Sequence, residues 1–206
     1  MKLELAEHLN RVRVAVTEVD RILARHKHAD DSRTVMVIGL LATIIQYHRS
    51  ILLLLSSGAA RSAVALIRDI VDGMYIGLWI NTCATPVQTQ RIKTEDQFPV
   101  NLPEIIKAVD IAYNANAFFE DMKNRCGTPL YKSNRSGIIQ LGHWLLDSDV
   151  GLQHDERELC EVTTVATSCI LLLAGTLLSN QNHAADCKEV EALSTIYDKR
   201  AESAFH

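Results

Sequence analysis

The sequence predicts an all-α protein, and three observations carry that expectation. Only 9 glycines and 4 prolines interrupt 206 residues rich in alanine, leucine and isoleucine, a composition that favours helices over a turn-rich β fold. Apolar residues recur at alternating spacings of four and three, the period of an amphipathic helix. No stretch shows the strict alternation of a half-buried strand, and no internal repeat is visible. The length suits one domain, 1–206, built as a bundle of about six or seven helices around a central antiparallel hairpin.

Leu5, Leu9, Val12, Val16, Val19 and Leu23 place a first helix over Leu3 to Arg25, packed on its own bundle. The polar stretch from His26 to Arg33 connects it to a second helix, Thr34 to Ser56. His26, His28, Asp30 and Asp31 have metal-friendly chemistry, but a polar helix end accounts for them, and neither a metal nor any other cofactor is expected. Ser56-Ser57-Gly58 interrupts the apolar run, with Gly58 as a left-handed cap, before a third helix from Ala59 to Asn81. So short a connection makes the second and third helices antiparallel neighbours.

Thr82 to Asn101 is polar, and Thr85-Pro86-Val87-Gln88 has the pattern of a capping box opening a short helix. A further helix is expected over Leu102 to Cys126, burying Ile105, Ile106, Val109, Tyr113, Phe119 and Met122, and stopped by Gly127 and Pro129. Another follows over Asn134 to Leu146, where His143 and Trp144 read as packed side chains. Asp155 and Glu158 open a long apolar helix to Leu178, and Ala185 to Ala201 closes the chain with Val190, Leu193 and Tyr197 on one face.

A formal charge of -4 and a pI near 6.0 give no overall basic field for nucleic acid. The five cysteines are odd in number, widely spaced and without a CxxC pair, so reduced thiols and a cytoplasmic location are expected. The N-terminal residues lack the apolar core of a signal peptide. Val162 to Ser179 contains eighteen uncharged residues, close to the ~18–20 of a membrane span. It lacks flanking Lys/Arg and aromatic anchors, so a buried helix and no membrane contact are expected.

The chemistry sits in the central hairpin. His48, Arg49, Arg61, Arg68, Asp69 and Asp72 are set into nearly fifty apolar residues, and burying ions costs several kcal/mol unless they are paired. Reversal at Gly58 puts His48 and Arg49 level with Arg68, Asp69 and Asp72. Arg61, Arg68, Asp72, Tyr75 and Trp79, spaced seven, four, three and four, form one polar-aromatic stripe. Two readings follow. The stripe is a buried network that docks the helices, or it lines a pocket in which the arginines bind an anion, Tyr75 and Trp79 stack, and His48 titrates. No P-loop, GxGxxG, HExxH or Gly-x-Ser-x-Gly motif is present.

The run HRSILLLLSSGAARSAVALIRDIVDGMYIGLWINTCAT resembles the central hairpin of an uncharacterised group of small, all-helical bacterial proteins, through Arg68, Asp72 and Gly77-Leu78-Trp79. YKSNRSGIIQLGHWL is similar to a later segment of that group, with Arg135-Ser136-Gly137 where a His-Gly step is usual. The resemblance implies the fold and a bacterial source. The C-terminus is more loosely similar to HEPN helical bundles, toxins and defence ribonucleases marked by Arg, four to six residues, then His. Arg200 and His206 have five residues between them. That resemblance implies a metal-independent ribonuclease in which His206 acts on the 2′-hydroxyl and Arg200 stabilises the phosphate at a dimer interface.

The expected function is a non-catalytic bundle that binds a partner protein or an anionic small molecule at the stripe and self-associates, as a dimer. The HEPN-like ribonuclease, which alone would bring in nucleic acid, is one alternative. An enzyme using His48 and Asp72 as acid and base is another.

Overall fold

A computed structural model describes residues 3–26, 31–95, 100–120 and 156–204, the last ten of these without their side chains. It is an all-α bundle; the described residues form eight helices and no strand. They are α1 (Leu3–Leu23), α2 (Ser32–Ser56), α3 (Ala60–Ala65), α4 (Ile67–Thr82), α5 (Pro86–Glu95), α6 (Leu102–Ala112), α7 (Glu156–Asn180) and α8 (Ala184–Ala204).

The hairpin forms as its sequence predicts. Asp31 caps α2, its carboxylate accepting from the backbone N–H of Arg33 and Thr34 at 3.0 and 3.1 Å. At the other end Gly58 adopts φ +80°, with Ala59 N bonded to Leu54 O at 2.8 Å and Gly58 N to Leu55 O at 3.1 Å. That pair of bonds is a Schellman cap, and only glycine meets its backbone requirement without strain.

The register is set by two contacts. A Cβ added to Gly73 would lie 2.7 Å from Ile44 Cγ2, so α2 and α4 touch there backbone to side chain. Arg33 donates to the carbonyls of Asn81, at 3.3 Å, and Ala84, capping the end of α4 from the start of α2. Both pairs are centred on Gly58, as an antiparallel hairpin requires.

The expected single helix over Ala59 to Asn81 is divided at Leu66, whose N–H bonds Ala63 O at 3.2 Å in a tighter i−3 turn. No proline or glycine marks the spot, and Leu66 keeps right-handed helical angles, so the chain tightens there without reversing.

α4 lies at the centre. Ile70, Met74, Tyr75, Leu78, Trp79 and Ile80 are all buried, and α4 packs on α2, α7 and α6. A Cβ on Gly77 would lie 2.7 Å from Leu173 Cδ2 of α7, the second close approach along this helix. α7 in turn meets α1, α2 and α8. Both α2 and α7 are long and apolar enough to cross a membrane by length and composition. Within the bundle 56% of α7's apolar window is buried against 39% of α2's. α7 is therefore a core helix, whereas α2 flanks the core and leaves Val35 and Leu53 exposed.

α1 buries Leu5, Leu9, Val12, Val16 and Val19 as its spacing predicts, but its seam ends on Ile22, with Leu23 only half-buried. The capping box at α5 is formed: Thr85 N donates to Gln88 Oε1 at 2.8 Å, and Gln88 N to Thr85 Oγ1 at 3.2 Å.

The helix expected from Leu102 to Cys126 stops at Ala112. Asn114, Asn116 and Ala117 take left-handed angles, the first two being residues that tolerate them. The buried carboxylate of Asp110 accepts from Phe119 N at 2.9 Å and Glu120 N at 3.1 Å, so it opens a new helical turn. The expected helix over Asn134 to Leu146 and the Asp155 cap lie outside the described residues.

Candidate functional site

The structure distributes the eight hairpin residues instead of gathering them. His48 is fully buried, yet its partner is Thr167 of α7, with Nε2 and Oγ1 3.0 Å apart. Arg49, the next residue, faces solvent and ion-pairs with Asp20 of α1. Arg61 is exposed on α3, beyond the tightening at Leu66, and Asp69 is exposed on α4. Arg68 and Asp72 do pair, Nε to Oδ2 3.4 Å, with side chains 42% and 26% exposed. Tyr75 is completely buried, its hydroxyl donating to Phe119 O at 2.9 Å, and Trp79 is buried in the core. The predicted level of His48 along the hairpin holds, but residues that share a level meet only when they share a facing stripe. The side chain of Arg200 and all of His206 lie outside the described residues.

The sequence reading missed a polar ladder on α7. Thr163 and Thr167 are one turn apart and fully buried. His8 of α1 meets Thr163 Oγ1 at 2.8 Å, as His48 of α2 meets Thr167. Thr167 spends its proton on Thr163 O at 2.8 Å, so its oxygen accepts from His48 Nε2–H and the Nδ1 of His48 is bare. That nitrogen is buried without a hydrogen-bond partner. Burial, reinforced by the charge of Arg49, pushes the His48 pKa down from 6.5 to about 4. His8 is pushed to about 4 by burial and by Arg11. Both imidazoles are therefore neutral at pH 7, sealed from solvent, and act as ties between α1, α2 and α7. The signal was present: His8 falls on the apolar seam between Leu5 and Val12, and Thr163 and Thr167 are four apart on an apolar helix.

A cavity of about 600 Å³ lies between α7 and α8, with Met74 of α4 and Phe118 on its wall. Val165, Cys169, Leu171, Leu172 and Val190 make it largely apolar; Ser168, Thr176, Ser179, Ser194 and Glu191 add polar groups. A groove of about 290 Å³ runs between α1 and α2, beside Asp20, Leu23, His26, Ile38, Leu41 and Ile45. None of the eight predicted stripe residues lines either one.

No family model matches this chain. No curated protein and no solved structure is significantly similar to it either. The functional reading therefore rests on the chain's own chemistry.

Among the described residues few groups are activated. Burial raises the thiol pKa of Cys83, and burial together with Glu191 raises that of Cys187, the reverse of what a nucleophilic thiolate needs. Burial also raises Tyr113, whose hydroxyl pairs with Thr82 Oγ1 at 2.7 Å. Away from these, His26, His183 and Asp186 bring three ligating side chains within 4.8 Å of one another where α1 ends and α8 begins.

Proposed function

We propose that this chain is a non-catalytic helical binding module whose ligand occupies the cavity between α7 and α8. The observation that carries this is the cavity itself. About 600 Å³ falls within the ~300–1,000 Å³ of small-molecule sites, which are mostly apolar with a few polar groups to orient the ligand. The buried histidines support binding over catalysis, since each is neutral and tied to a threonine.

The lining also selects the ligand class. Among the described residues, hydroxyls and the Glu191 carboxylate border the apolar wall, and no arginine or lysine does. An apolar body with a neutral polar end fits these groups; Arg61 and Arg68, on which the anion reading rests, do not line this cavity.

The test is a fluorescence titration with a neutral apolar dye, followed by competition with long-chain alcohols, amines and carboxylates. Saturable binding displaced best by alcohols, and lost in Ser168→Trp, is expected. Ser168 is exposed at the cavity wall, so this change fills the site while sparing the core. Equal displacement by carboxylates, or binding indifferent to Ser168→Trp, contradicts the assignment.

A further inference from the structure

We propose that His26, His183 and Asp186 form a binding site for a zinc-class divalent cation, with one coordination position left for water or a small ligand. The three residues come from two distant parts of the chain. α1 ends in a tight turn, with His26 N bonded to Leu23 O at 3.3 Å. α7 is joined to α8 by a reversal in which Asn182 takes φ 61° and His183 N bonds Leu178 O at 3.0 Å. These turns bring His26 against the start of α8, where His183 and Asp186 lie three apart.

One pair of donors already stands near its spacing around a bound ion. His26 Nε2 and Asp186 Oδ2 are 2.9 Å apart. Two donors at zinc–nitrogen and zinc–oxygen distances of about 2.0–2.1 Å in a tetrahedral shell lie about 3.3 Å from each other, so this pair need open by only a few tenths of an ångström. One donor atom from each residue lies within 4.8 Å of the others; the rings of His26 and His183 stack with centroids 3.9 Å apart and planes at 24°, so His183 turns out of the stack to bring its in-plane lone pair onto the ion. Two imidazoles and one carboxylate are the borderline ligands that zinc, cobalt and nickel prefer.

The outer shell is built as well. Arg25 Nη1 holds Asp186 Oδ1 at 3.3 Å, which leaves Oδ2 to the site and fixes the carboxylate's orientation, as second-sphere partners of metal ligands do. Arg25 also reaches Glu189 Oε2 at 2.8 Å, and Arg21 pairs with Glu18 and Glu189. Two arginines thus face three carboxylates, Glu18, Glu189 and Asp186, so the group keeps one net negative charge toward a cation. The side chains of His26 and Asp186 are 21% and 16% exposed, so the site is sheltered but reachable. His26 also lines the groove between α1 and α2. In the sequence His26 shows metal-friendly chemistry only beside His28, Asp30 and Asp31, a group that a polar helix end accounts for; Asp186 lies 160 residues away, and nothing in the sequence links the two.

Cobalt is the probe. Titration of the untagged, full-length chain with Co²⁺, followed by its visible absorption, is expected to saturate at one ion per chain. A nitrogen–oxygen spectrum without the strong near-ultraviolet thiolate band is expected, and Zn²⁺ should displace the ion. His183→Gln and Asp186→Asn each weaken binding by roughly tenfold or more, with an unchanged far-ultraviolet circular dichroism spectrum showing that the fold persists. Cys187→Ser leaves it intact. The absence of saturable binding shows that the cluster is only an ion-paired helix junction and overturns the proposal. A thiolate band, or binding that survives His26→Gln combined with His183→Gln, overturns it equally.

Discussion

His48 of α2 donates from Nε2 to Thr167 of α7 across 3.0 Å in the centre of the bundle, and its other ring nitrogen has no hydrogen-bond partner. Replacing the acceptor alone strands the donor. Thr167→Val is expected to cost about 1–3 kcal/mol, the penalty of an unmet buried polar group. His48→Leu added to Thr167→Val removes the stranded group and recovers most of that loss. Denaturant unfolding of the two single variants and the double variant closes the cycle. Additive losses would mean that the two side chains do not interact.

Neutral burial of His8 and His48 makes stability depend on pH in a known direction. Each group has its folded pKa depressed from 6.5 to about 4, so below 6.5 the unfolded chain binds more protons than the native one. Stability is fully present above pH 6.5 and declines as the pH falls from there toward 4. The interval is worth on the order of 3 kcal/mol for His48, and less for His8, where solvent screens more of the effect. Chemical unfolding at a series of pH values should show this slope, and His48→Gln should reduce it. A slope unchanged in that variant would show that His48 already titrates normally in the native state.

Two glycines on α4 make contacts of unequal stiffness. A methyl group at Gly73 meets Ile44 Cγ2, a branch close to the α2 backbone, whereas one at Gly77 meets the ends of the Leu173 side chain. Isoleucine is held in one χ1 rotamer on a helix and cannot swing away. Alanine also gains about 1 kcal/mol of helix propensity over glycine. Gly73→Ala is therefore expected to destabilise by about 1–2 kcal/mol net, through overpacking, and Gly77→Ala to be close to neutral. Thermal melts of the two variants decide between this order and its reverse.

Much of the scaffold was legible because local chemistry specifies it. Gly58 needs a left-handed backbone, and Thr85 and Gln88 satisfy each other's N–H groups whatever surrounds them. The end of α6 at Ala112 was not legible, because the apolar period runs on through Phe119 while Asp110 closes a turn nine residues away. The tightening at Leu66 carries no breaker at all. The site was the least legible part. Spacing correctly put His48 level with Asp69, but which helix it faces depends on the rotation of α2 against α7. Nothing in the hairpin's own residues reports that rotation, and the threonines that receive the histidines lie more than a hundred residues on.

The most direct measurement is a nuclear magnetic resonance map of backbone and methyl shifts on adding the apolar dye. The account predicts perturbations confined to residues around the α7–α8 cavity, among them Val165, Ser168, Leu172 and Val190. Perturbations centred instead on Arg61, Arg68 and Asp69, with the cavity residues silent, would contradict it and restore the polar stripe as the binding surface.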